Sequence, residues 1–194
     1  MISQHAVAVA VSHCNPNRTG EIKEGGFSLF ELLVVIIIIS ILMILAIQRL
    51  LALQVDAERV VMESVVGSLR SALGIKVAET FVRQGPASLA TLESSNPMNL
   101  LAEVPANYLG ELDSSMDPAL LERGNWYFDT GNRNLVYLVN NSGYFSGGMP
   151  DPTRARFAIR IVYSDKNGNG VYDAGADVIE GLRLAPLESY RWIK

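Results

Sequence analysis

The stretch Gly25-Gly26-Phe27-Ser28-Leu29-Phe30-Glu31-Leu32-Leu33-Val34-Val35-Ile36-Ile37-Ile38-Ile39-Ser40-Ile41-Leu42-Met43-Ile44-Leu45-Ala46-Ile47 decides how the rest of the chain is read. From Phe27 to Ile47 there are 21 residues and one charge, Glu31. As a helix the run rises roughly 31 Å, against about 30 Å of bilayer hydrocarbon. Its many Val and Ile residues are weak helix formers in water. In lipid every backbone group must be satisfied internally, and the helix wins. A soluble core helix rarely carries so long an apolar run, so the stretch reads as a membrane span. An ionised carboxylate in such a span costs about 2.5–3.5 kcal/mol on insertion scales, which makes Glu31 a functional residue in search of a positive partner.

The flanks exclude ordinary secretion. A secretory signal is cut after its apolar region, at an Ala-x-Ala-like site. Here the small residues Gly25-Gly26 precede the apolar run. Arg18 and Lys23 suit the cytoplasmic side, although Glu21 and Glu24 dilute the contrast.

The segment Gly26-Phe27-Ser28-Leu29-Phe30-Glu31-Leu32-Leu33-Val34-Val35 resembles the N-terminal signature of type IV prepilins and type II secretion pseudopilins. The resemblance covers about 25 residues. It implies that prepilin peptidase cuts after Gly26 and that the new N-terminal Phe27 is N-methylated. It implies that Glu31 pairs with the terminal amine of a neighbouring subunit during assembly. Other pilin or pseudopilin subunits and an inner-membrane assembly platform would then be partners. The location would be the inner membrane, N-terminus cytoplasmic, before assembly, and a periplasmic or cell-surface filament afterwards. Physical chemistry agrees with the assigned roles. Phe27 and Glu31 are one helical turn apart, and opposite charges attract strongly where the dielectric is low. Two departures from the family pattern stand out. Ser40 and Gln48 occupy places where many members have a helix-loosening Gly and Pro, so local melting of the helix is less supported. The leader is also long, and a start at Val7 or Val11 would shorten it.

Removing residues 1–26 takes away Cys14, His5 and His13, and residues 27–194 contain neither cysteine nor histidine. That excludes cysteine–histidine and serine–histidine nucleophilic sites, the common zinc cages and disulfides from the mature chain. The net charge stays at −4, because the leader holds two bases and two acids. Such a chain has no general attraction to nucleic acid. Arg154, Arg156 and Arg160 form at most a sparse basic patch, of the kind that usually guards a strand edge. Nucleic acid is therefore not expected as a partner, and no enzymatic constellation is present.

Beyond Ile47 the helical period continues with an apolar stripe at Leu51, Val55, Met62, Val65, Leu69, Leu73, Val77 and Phe81. Asp56, Glu58, Arg59, Glu63, Arg70, Lys76, Glu79 and Arg83 fall mostly on the solvated side, and Gly85-Pro86 ends the pattern. One helix from about Ser28 to Arg83 is expected. Residues 84–125 read as a connecting loop with a short helix at Pro97–Glu103, capped by Asn96. From Asn125 the period becomes two. A hairpin turns at 129–134, Arg156–Tyr163 alternates cleanly, and a last strand lies near Asp177–Leu184. The expected organisation is leader 1–26, span or filament-core helix 27–47, amphipathic helix 48–83, connecting loop 84–125, and a sheet region 126–194. The fold class is α+β: a long helix packed on about four antiparallel strands, the pilin-like arrangement.

A second chemical feature is the loop Asp165-Lys166-Asn167-Gly168-Asn169-Gly170-Val171-Tyr172-Asp173-Ala174-Gly175-Ala176-Asp177. Asp165, Asn167, Asn169, the Val171 carbonyl and Asp173 stand at alternate places with a glycine sixth, which matches the first part of a calcium loop. The usual twelfth-place Glu is replaced by Ala176, with Asp177 one place on. The plain alternative is a polar hairpin turn. For function, the expectation is a structural filament subunit, of minor type. The competing class is a membrane-anchored, calcium-binding recognition module that never polymerises.

Overall fold

The computed structural model describes residues 28–193, in two compact units divided between Leu45 and Ala46. Helix α1 runs over Leu29–Gln84. It starts where the Ser28 hydroxyl accepts the Glu31 backbone N–H at 3.1 Å, an N-cap bond that satisfies one orphan donor. It ends at Gly85, whose φ of 83° and ψ of 170° are open essentially only to glycine, with Pro86 following.

The described part of the first unit is helix from Leu29 onward, and all of its side chains are exposed. Among the described residues, α1 is the one helix long and apolar enough to cross a membrane. Ser40 returns its hydroxyl to the Ile36 carbonyl at 2.7 Å and so brings no unpaired polar group into the apolar run.

In the second unit the amphipathic part of α1 lies on a five-stranded sheet of order β1-β2-β3-β5-β6. The strands are β1 (Tyr108–Leu112), β2 (Trp126–Asp129), β3 (Asn134–Leu138), β5 (Arg154–Ser164) and β6 (Val178–Pro186). A separate two-stranded sheet pairs β4 (Phe145–Gly147) with β7 (Tyr190–Trp192). Val55, Met62, Val66, Leu69 and Leu73 of α1 share one core with Trp126, Phe128, Leu135, Tyr137, Phe157 and Ile159. Alternation supplies the sheet face: Trp126 and Phe128 enter this core, while Tyr127 joins Val136 and Leu138 in a smaller cluster. Burying each large side chain is worth about 1.5–3 kcal/mol. Trp126 anchors the packing, its ring 4.8 Å from Tyr137 and 5.9 Å from Phe157.

The α+β class and the long helix are as expected, and β2, β3, β5 and β6 fall on the four expected strands. Four details differ. Residues 84–125, expected as a connecting loop, contain β1, which pairs parallel to β2 and whose sequence Tyr108-Leu109-Gly110-Glu111-Leu112 has no clean apolar–polar alternation. The helix expected at Pro97–Glu103 is a 3₁₀ turn, Pro97–Leu100, although Asn96 caps it by accepting the Met98 N–H at 3.0 Å. Leu51 and Phe81 of the apolar stripe are about half exposed, while Thr80 is buried. The β4–β7 pair has strands of three residues, too short for a period of two to show.

Candidate functional site

Three groups of residues bear on function. The first is the start of α1. Gly26 and Phe27 lie outside the described residues. Glu31 stands in the first turn of α1, where the helix dipole favours a negative charge. Among the described residues its carboxylate makes no ion pair. The N-cap bond from Ser28 uses the backbone N–H of Glu31 and leaves its carboxylate out of the cap.

The second is the loop between β5 and β6. The Asp165 carboxylate accepts N–H bonds from Gly168 at 2.6 Å and Gly170 at 2.8 Å. These donors, Gly170 first, hold its carboxyl below the ordinary aspartate range. Gly168 and Gly170 both have positive φ, which lets the backbone fold its N–H groups onto that carboxylate. The Asn167 and Asn169 amides both donate to one Asp173 oxygen, at 2.8 and 2.6 Å. Asp177 braces the far side, accepting from Lys166 N–H and Asp173 N–H at 2.9 and 2.8 Å. The structure thus draws Asp165, Asn167, Asn169, Asp173 and Asp177 into one turn, and the carboxylates there are occupied mainly by N–H donors. Among the described residues no group of three or more His, Cys, Asp or Glu side chains is placed to hold a metal ion. A cation in this turn would therefore rely on amide and carbonyl oxygens, which suit hard cations such as calcium.

The third group was missed in the sequence, where Glu58 reads as one of the solvated charges of α1. Its carboxylate accepts the Tyr137 hydroxyl at 2.9 Å, Asn140 N–H at 2.7 Å, Asn141 N–H at 2.9 Å and the Asn141 amide at 2.6 Å. Four donors on one acid clasp α1 to the chain after β3. Burial, followed by the adjacent Glu58 charge, pushes the Tyr137 phenol far above its ordinary value. The partners are about 80 residues from Glu58 in sequence, so no local pattern could have exposed them.

Two of the three arginines on β5 are engaged within the second unit, and the third, Arg160, is exposed and makes no ion pair among the described residues. Arg156 pairs with Glu188, and Arg154 donates to the carbonyls of Pro150, Asp151 and Pro152. Neither contact suggests a surface built for phosphates.

Comparison with known proteins gives one match. Residues 22–47 match the family model for the prokaryotic N-terminal methylation motif. No curated protein and no solved structure matches the chain. The matched span contains Gly26, Phe27 and Glu31 and runs into α1, and it points to a structural subunit rather than an enzyme. The chain carries the prokaryotic N-terminal methylation motif characteristic of type IV pilin and pseudopilin prepilin-like proteins, followed by a pilin-like α+β fold.

Proposed function

We propose that the protein is a structural subunit, of minor type, of a type IV pilus or type II secretion pseudopilus. Prepilin peptidase cleaves between Gly26 and Phe27, and Phe27 is N-methylated. An inner-membrane assembly platform then draws the subunit into a periplasmic or surface filament. In the filament Glu31 pairs with the terminal amine of a neighbouring copy or related subunit. The observation that carries this proposal is the methylation motif at residues 22–47, set against an apolar run, Leu29–Leu45, whose side chains are all exposed among the described residues. An unpaired acid in low dielectric is costly, and pairing it with an amine on another chain favours association. Mass spectrometry of the native N-terminus tests the pathway. A methylated Phe27 is expected, and an intact leader would overturn it.

The turn at Asp165–Asp177 supports a second, compatible element of the proposal. We read Asp165, Asn167, Asn169, the Val171 carbonyl, Asp173 and Asp177 as the oxygens a calcium ion would use, the ion displacing the N–H donors that now hold the carboxylates, the two asparagine amides on Asp173 among them. With no cysteine in residues 27–194, calcium would do the stapling that a disulfide cannot. Calcium should raise the thermal midpoint of the detergent-solubilised chain, and Asp173→Asn should abolish the rise. An unchanged midpoint with calcium or chelator would remove calcium from the account.

A further inference from the structure

We propose that the sheet face turned away from α1 carries a binding cleft for a small apolar amino acid, held by its carboxylate and its ammonium. Register builds the cleft. Tyr127 of β2 stands opposite Val136 of β3, and Val136 stands opposite Arg156 of β5. The three side chains therefore form one row, on the side of the sheet away from the core shared with α1. Arg154, two residues before Arg156, shares that face. The segment 113–118 closes over the row and leaves a cleft of about 190 Å³. Drug-sized ligands occupy about 300–1,000 Å³, so this space suits one amino acid and is too small for a nucleotide.

The bonds already made define what is left for a ligand. Asp129 is fully engaged: it accepts the Ser114 hydroxyl, the N–H groups of Gly131 and Asn132 at 3.1 and 2.9 Å, and the Asn132 amide at 2.8 Å. Those bonds tie the covering segment to the β2–β3 turn and preorganise that wall. Arg156 gives Nε and Nη2 to Glu188, and Arg154 gives Nη1 to backbone carbonyls. Among the described residues, Arg156 Nη1, Arg154 Nη2 and the Tyr127 hydroxyl have no hydrogen-bond partner. Tyr127 is only 5% exposed, so an acceptor for its hydroxyl has to come from within the cleft. Burial raises this phenol, with Arg154, Asp129 and Arg156 all close enough to act on it, and it stays a protonated donor. On the β2 side, one oxygen of Asp113 accepts the Ser115 N–H at 2.9 Å, which holds its carboxyl below the ordinary aspartate range. Its other oxygen has no partner among the described residues.

Charge decides the class of ligand. Two guanidiniums are set against three carboxylates, Glu188, Asp129 and Asp113, so a phosphate dianion would enter a site that is already net negative. A zwitterion adds no net charge and answers both walls. Its carboxylate takes the open donors of Tyr127, Arg154 and Arg156, and its ammonium takes the open Asp113 oxygen. An apolar side chain then lies against Val136, Met116 and Pro118. The cleft lies wholly within the second unit and requires neither membrane crossing nor filament assembly.

Isothermal titration of the full chain in detergent micelles with leucine, methionine and valine tests the site. At least one should bind saturably at millimolar concentration. For that amino acid, the amide, which lacks the carboxylate, and the deaminated acid, which lacks the ammonium, should each bind at least about tenfold more weakly. Tyr127→Phe should weaken binding about tenfold with the thermal midpoint unchanged. Asp113→Asn should erase the preference for the amino acid over its deaminated acid. No saturable binding by any of the three amino acids overturns the cleft. Equal binding of the amino acid and its two derivatives, or binding of glucose or inorganic phosphate in its place, overturns the zwitterion as ligand. Binding untouched by both substitutions places the ligand elsewhere and overturns the assignment to this face.

Discussion

Glu31 and Glu58 sit on the same helix in opposite circumstances. Glu58, in the second unit, receives four donors from its own chain and helps bind α1 to the sheet. Glu31, in the first, makes no ion pair among the described residues, and the apolar side chains around it are all exposed. The contrast extends to the two units. From Val55 onward α1 buries one stripe against the sheet, whereas its described residues up to Leu45 bury nothing. A carboxylate satisfied within its chain stabilises a fold. One left without an ion pair among the described residues is free for a partner outside them, which is the role proposed for Glu31.

The largest effect that would break this contrast concerns Glu31. Glu31→Ala should leave the protein in the membrane fraction and remove it from sheared filaments, read by immunoblot of both. Normal incorporation would sink the assembly role. Next comes Glu58→Ala, which strands the hydroxyl of buried Tyr137 and frees the N–H groups of Asn140 and Asn141 to water. It should cost about 2 kcal/mol of stability in denaturant titration of the second unit's transition. A double-mutant cycle with Tyr137→Phe should show coupling between them, and additivity would mean that the clasp is incidental.

The smallest effect is a pH dependence. The Tyr137 phenol is raised in the fold, by burial first and then by Glu58. The unfolded chain therefore loses this proton first, near pH 10. The stabilisation is complete below that value and lost as the pH rises towards the folded value. The slope is at most about 1.4 kcal/mol per pH unit. Tyr137→Phe should flatten the alkaline limb of the stability curve, and an unchanged limb would show that other tyrosines govern it.

Much of the architecture could be read in the sequence because its signals are local. Apolar continuity gives the candidate span, and the change from period 3.6 to period 2 gives the order of helix and strands. The helix ends where Gly85-Pro86 places it, and the Lys76–Glu79 and Glu79–Arg83 pairs form as their spacing dictates. Errors arose where a neighbour overrode periodicity. Thr80, seven residues after Leu73, continues the buried face of Met62, Val66, Leu69 and Leu73, and Phe81 falls beside that face and is half exposed. Strand β1 exists because β2 offers it a partner across an interrupted register.

The sites divide in the same way. The sequence by itself determined the motif at Gly26, Phe27 and Glu31 and the Asp/Asn/Gly order of the 165–177 turn, since both are encoded by short-range spacing. Only the tertiary structure decided that Glu58 is a clasp, that Asp177 spends its oxygens on the backbone, and that Tyr144 meets Ile193 beside Ala52. Those contacts join residues far apart along the chain, and they exist only once the helix has docked on the sheet.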